Sequence, residues 1–127
     1  AEVDVTLIVQ VLVNLINNAV EYTPKGSKIQ IRAFSENGQA VVQVADDGNG
    51  VPDSEKEAVF QMFYTGGSRE KSDSRRGMGL GLALCKSIVE AHGGRICIKD
   101  NVPRGAIFEF TLPLAEVKNY ENFNSNR

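Results

Sequence analysis

Residues 77–94 read GMGLGLALCKSIVEAHGG, and this stretch decides the fold. Gly77, Gly79 and Gly81 alternate at its start, and an apolar, helix-like run follows over residues 80–92. Gly93-Gly94 is a helix-stop signal. Glycine inside a helix costs roughly 0.5–1 kcal/mol relative to alanine. Three of them at a helix start imply that something comes very close to the backbone there. A glycine-rich turn feeding a helix N-terminus gathers free N–H groups, and the helix dipole adds to their attraction for an anion. The other reading is a flexible hinge. No Gly-Lys-Ser/Thr follows, so the run is not a Walker loop. The strand that opens a dinucleotide-binding fold is replaced here by a polar segment.

Working outward, residues 4–22, DVTLIVQVLVNLINNAVEY, read as a helix. Ile8, Val11, Leu12, Leu15, Ile16 and Ala19 recur at three- and four-residue spacing. TPKG ends it, since Pro24 disfavours a helical Thr23 and Gly26 suits a turn. KIQIRAF (28–34) and QAVVQVA (39–45) read as strands joined by SENG, which is hairpin chemistry. DDGNGVP is a glycine-rich turn, and residues 54–64 read as a short helix capped by Ser54. TGGSREKSDSRR (65–76) contains no apolar residue and reads as a mobile loop. RICIK (95–99) and AIFEFTL (106–112) are two further strands with DNVPRG between them. The expected class is α+β, with helices covering one face of a mainly antiparallel sheet. Residues 1–114 form the domain, and 115–127 form a polar, frayed tail.

At 127 residues the chain makes one domain with a sizeable core. Its net charge of -2 argues against a nucleic-acid surface. Cys85 and Cys97 lie in apolar runs without metal spacing and read as buried, reduced thiols. No apolar stretch is expected to span a membrane, and no signal peptide opens the chain.

Asn14 and Asn18 share one stripe of the first helix, flanked by Gln10, Asn17 and Glu21. One reading is a solvated helix face. The other starts from asparagine's poor helix propensity: neutral carboxamide oxygens are wanted, and these ligate Mg²⁺ alongside phosphates. Asp46 ends a strand ahead of Gly48 and Gly50. It is either a turn residue or a carboxylate that accepts from an exocyclic amino group such as that of adenine. His92 is the one histidine, and it reads as a helix-end residue interacting with the dipole.

Four segments together resemble the catalytic ATP-binding domain of sensor histidine kinases, within the gyrase, Hsp90, histidine kinase and MutL superfamily. NLINNAVEYTP matches the asparagine motif, DDGNGVP the first glycine motif, VFQMFY the phenylalanine motif, and GMGLGLALCKSIVEAHGG the second glycine motif. Their order and spacing fit over about residues 4–114. FYTGGS and DSRRGMGLGLALCKSIVEAHGG look most like the potassium-responsive branch of these sensor kinases. The resemblance implies a two-layer α/β sandwich of the Bergerat type. About three helices, in a left-handed βαβ arrangement, pack on one face of a mixed, mainly antiparallel sheet.

It further implies ATP and Mg²⁺ as cofactors. Asn18 would ligate the metal through the ATP phosphates, with Asn14 one turn before it. Tyr22 would line the nucleotide pocket, and Asp46 would hold the adenine amino group beside Gly48 and Gly50. Phe60 and Phe63 would anchor a lid formed by residues 65–76. Gly77, Gly79 and Gly81, with Leu80 and Leu82, would bring the phosphates to the helix N–H groups.

Two departures stand out. Glu21 occupies a place where the family usually carries lysine or arginine, leaving Arg69, Lys71, Arg75 and Arg76 of the lid as the basic residues. The family's phospho-acceptor histidine lies in a separate dimerisation domain. His92 matches the histidine of AHGG instead, and the strand that usually precedes the first helix is missing. The implied function is transfer of the ATP γ-phosphate to that acceptor domain, with a response regulator downstream. The fragment would be the cytoplasmic domain of a bacterial inner-membrane sensor. Two alternatives are a hydrolytic ATPase, opposed by Asn14 where those relatives carry glutamate, and a nucleotide-gated interaction module without turnover.

Overall fold

The computed structural model describes residues 3–61 and 78–114. Helix α1 spans Val5–Tyr22. Asp4 caps it, its Oδ1 accepting from the Leu7 N–H at 3.2 Å. At the other end the Thr23 hydroxyl donates to the Ala19 carbonyl at 2.6 Å, just ahead of Pro24. Val11, Leu15 and Ala19 are buried on the predicted stripe, whereas Val5, Val9, Val13 and Val20 are exposed. With valines outside as well as inside, α1 is long and apolar enough to cross a membrane by length and composition, which the sequence reading did not anticipate. Its buried stripe belongs to the domain core.

Strands β1 (Ile29–Glu36) and β2 (Gln39–Asp46) form the expected hairpin. Asn37 and Gly38 both take positive φ, 53° and 78°, as a two-residue hairpin turn requires. Next come two 3₁₀ turns, Asp53–Glu55 and Ala58–Phe60. They overlap the span 54–64 read as a short helix, of which residues 62–64 lie outside the described residues. Their bonds run to the third residue back, Lys56 N–H to Asp53 O and Gln61 N–H to Ala58 O. The Lys56 ammonium folds onto the Val51 carbonyl, Asp53 and Asp100, which ties the segment to the sheet end. Helix α2 (Met78–Ala91) starts two residues earlier than expected. It closes as predicted at Gly93, φ +82°, with Gly94 N–H bonded to Val89 O at 3.0 Å.

Strands β3 (Arg95–Asp100) and β4 (Ala106–Pro113) complete a four-stranded sheet in the order β1-β2-β4-β3. Every pairing among the described strands is antiparallel, where the resemblance implied a mixed sheet. The register sets Val44 opposite Phe108, and Phe108 opposite Ile98. These side chains share one face with α1 and α2, and the core forms between the layers from Val11, Leu15, Val44, Leu82, Cys85, Val89, Phe108 and Phe110. The result is the α+β two-layer sandwich. The opposite face is mixed, carrying Phe34, Val41 and Ile107 beside polar residues, and Glu109 there accepts from Gln43 at 2.8 Å and from Lys99 at 3.1 Å.

Candidate functional site

Strand β2 delivers Asp46 to the sheet end, where it is 4% exposed. Its Oδ1 accepts from the Gly48 N–H at 2.9 Å and the Ala106 N–H at 3.2 Å. Its Oδ2 receives no donor among the described residues, so one oxygen is fixed and the other is left to accept. Asp46 lines a narrow cleft with Asn18, Tyr22, Thr23, Gly50, Val51 and Ala106. The glycines around it serve the protein's own packing. A Cβ on Gly48 would sit 2.8 Å from the Thr23 methyl, and Gly50 has φ +76° with Gly105 O close by.

Asn18 and Tyr22 also line a second, wider groove of about 200 Å³, with Asn14, Asn17, Glu21, Gly81 and Leu82. The two openings are therefore contiguous through one turn of α1. Asn18 is only 8% exposed, yet its carboxamide makes no hydrogen bond among the described residues. A buried amide without a partner costs about 1–3 kcal/mol, so the site suits a ligand that supplies one. Asn14 differs, since its Oδ1 accepts from Gln10 at 3.3 Å. Across the groove, Gly79 and Gly81 fall in the first turn of α2. A Cβ on Gly81 would meet nothing within 4 Å among the described residues. Internal packing thus does not require glycine at 81, in contrast to position 48.

The structure brings Asn14, Asn18, Tyr22, Asp46, Gly50, Gly81 and Leu82 to these two connected openings. Leu82 is also core, at 1% exposure, and Phe60 is buried in the same cluster. Gly79 and Leu80 are placed by their helical backbone alone. Phe63, Gly77 and the expected lid, 65–76, lie outside the described residues, as does the 115–127 tail. His92 sits away from the groove. Its Nε2 accepts from the Asp4 N–H at 3.0 Å and its Nδ1 donates to the Ile88 carbonyl at 2.7 Å, joining the two helix ends.

Sequence reasoning missed the loop behind Asp46. Asn101 donates from Nδ2 to the Asp46 carbonyl at 2.7 Å, and Arg104 donates from Nε to the Gly48 carbonyl at 3.0 Å. DNVPRG signals a turn, but its target lies 55 positions earlier in the chain. Beyond the site, Asp100 and Asp53 raise the Lys56 ammonium above its ordinary value, and Lys56 lowers Asp53 in return. Cys85 is buried as expected, whereas Cys97 on the outer face of β3 is exposed; desolvation raises both thiols, Cys97 further through the neighbouring Glu109 carboxylate.

Residues 3–116 match the model of the histidine kinase-, DNA gyrase B- and HSP90-like ATPases. The chain is similar to the sensor protein KdpD of Clostridium acetobutylicum, 47% identical over 110 residues, covering 87% of this chain and 12% of that protein. It is also similar to the adaptive-response sensory kinase SasA of a Nostoc species, 40% identical, covering 83% of this chain and 26% of that one. It therefore spans about an eighth to a quarter of those relatives. Among solved structures, the catalytic domain of histidine kinase ThkA superposes with a TM-score of 0.73 at 36% identity, covering 89% of this chain and 71% of that one. With four ordered motifs, the two-layer sandwich and these relatives in agreement, the chain belongs to the histidine kinase-, DNA gyrase B- and HSP90-like ATPase family, as a histidine kinase-type domain.

Proposed function

We propose that residues 1–114 form the ATP-binding catalytic domain of a two-component sensor histidine kinase. The observation that carries this is Asp46: a buried carboxylate with one oxygen fixed by two backbone N–H groups and the other left to accept at a cleft. An adenine amino group donates to such an oxygen, whereas guanine presents a carbonyl at the equivalent place.

Asp46 holds the base, with Gly50 beside it and Tyr22 along the pocket. The triphosphate runs from this cleft into the wider groove. There the N–H groups of Gly79 and Leu80 donate to phosphate oxygens, Gly81 leaves room for their approach, Leu82 holds the helix in the core, and Gly77 precedes it. Asn18 fits Mg²⁺, because a buried amide that finds no partner among the described residues can offer its oxygen to a hard cation, with Asn14 one turn before it on the same groove. Bound with ATP, Mg²⁺ neutralises charge on the phosphates. Phe60 and Phe63 anchor the segment 65–76 as a lid. Catalysis then consists of positioning and charge stabilisation. A neutral imidazole is already a nucleophile, so the γ-phosphate passes to a histidine of the separate dimerisation domain without a base from this chain. Asn14 cannot take a proton from water, which disfavours hydrolysis.

The remaining steps follow the relatives. ThkA is solved in complex with response regulator protein TrrA, and we extend that pairing to a response regulator for this protein. The full-length protein is proposed to be a bacterial inner-membrane sensor with this domain on the cytoplasmic side. The test is to mix the chain with its dimerisation domain and labelled ATP. Label on the acceptor histidine is expected, also with His92→Gln. ATP binding without transfer would favour a nucleotide-gated interaction module instead.

A further inference from the structure

The loop between β3 and β4, residues 101–105, reaches back to the turn that carries Asp46. The Asn101 amide donates to the Asp46 carbonyl at 2.7 Å, and its own Oδ1 accepts from the Val102 N–H at 2.9 Å. The loop closes on itself through Asn101 N–H to Gly105 O at 3.0 Å. Arg104 donates from Nε to the Gly48 carbonyl at 3.0 Å and from Nη2 to Asn49 Oδ1 at 3.1 Å. At Gly105, φ is +107°, and a Cβ would fall 1.9 Å from the Asp46 carbonyl oxygen. The following residue, Ala106, supplies one of the two N–H groups that fix Asp46 Oδ1. Both peptide segments flanking the carboxylate are therefore set by one loop.

We infer that Asn101 and Arg104 are positioning residues for base selection: they hold the Asp46–Asn49 turn so that the free oxygen of Asp46 meets the ligand amino group in one orientation. This rests on the reading of Asp46 as the adenine acceptor. Neither side chain lines the narrow cleft around Asp46; both line a neighbouring groove of about 400 Å³ that shares Gly50 and Val51 with it, and their hydrogen bonds go to the turn itself. A carboxylate hydrogen bond depends on where its oxygen points. Loosening the turn weakens that bond first and leaves contacts to the phosphates alone.

The test compares ATP with purine riboside triphosphate, which lacks only the amino group. Asn101→Asp keeps the Oδ1 that accepts from Val102 and replaces the donor with an oxygen. It should lower ATP affinity about threefold to tenfold while purine riboside triphosphate stays within about twofold. On an Asp46→Asn background the same change should add nothing further, because the residue it positions is already lost. Equal losses for the two nucleotides, or fully additive losses in the double variant, would overturn the inference. Arg104→Gln is read the same way and decides the matter if Asn101→Asp does not fold. A selective effect of Asp46→Asn with none from either loop variant removes this inference alone. A silent Asp46→Asn, with both nucleotides bound equally by the unaltered chain, removes the adenine reading and this inference with it.

Discussion

The two ends of the site use glycine for opposite reasons. Around Asp46 the glycines are enclosed by protein: Gly48 lies against Thr23, Gly50 against Gly105, and Gly105 against the Asp46 carbonyl. At the start of α2, Gly81 faces open space, and the neighbouring Asn18 is buried without a partner among the described residues. The first end is completed by the chain itself, which fixes one carboxylate oxygen before any ligand arrives. The second is left unfinished in the places where a ligand's oxygens would sit. A glycine motif alone does not say which kind it is; the space around each absent Cβ does.

Substituting the glycines is the strongest way to break this contrast. Gly105→Ala should destabilise the fold by about 3 kcal/mol or more, because the methyl cannot coexist with the Asp46 carbonyl and the backbone is left-handed there. Thermal or denaturant unfolding reads it. Gly81→Ala should instead preserve the fold and add up to about 1 kcal/mol of stability through helix propensity. Its cost should fall on triphosphate affinity, measured by titration. A Gly81→Ala chain that unfolds would erase the distinction between the two ends.

Charge sharpens the comparison next. Glu21 is exposed and lines the phosphate-side groove. Glu21→Lys should therefore improve ATP affinity, by about 0.2–1 kcal/mol given its exposure, with the gain shrinking as salt rises. Weaker binding would make Glu21 a partner in the site.

The smallest effect concerns the ion pairs beside the Asp46 end. Lys56 holds Asp53 below its ordinary value. That contribution is present above the unfolded carboxyl range, near pH 4, and is lost as pH falls through the lowered folded value. Asp53→Asn should flatten this acid limb slightly and lower stability at pH 7 by the same small amount. An unaltered limb would separate the pair from stability.

Much of this was legible in the chain. The three- and four-residue spacing of Val11, Leu15 and Ala19 fixed the face of α1, and Asn37-Gly38 fixed the hairpin and its register. Asp46 and the asparagine stripe could be named because residue type and motif order carry chemistry locally. Over residues 53–60 two 3₁₀ turns stand in place of the expected helix, accompanied by tertiary ties of Lys56 to Asp100 and the Val51 carbonyl that the local sequence does not announce. The resemblance sets Gly48 beside the base, and the structure adds that the Thr23 methyl lies against it, a contact with no signature in local sequence. The Asn101 and Arg104 contacts escaped for the same reason.

The central claim is that the free oxygen of a pre-set Asp46 selects adenine. Calorimetric titration of ATP and GTP, with Mg²⁺, into the unaltered chain and Asp46→Asn tests it most directly. Asparagine keeps an oxygen for the Gly48 and Ala106 N–H groups, so the fold should persist. The unaltered chain should bind ATP more tightly than GTP, and Asp46→Asn should lose roughly 1.5–3 kcal/mol of ATP binding. Equal ATP affinity in a folded Asp46→Asn chain would contradict the account.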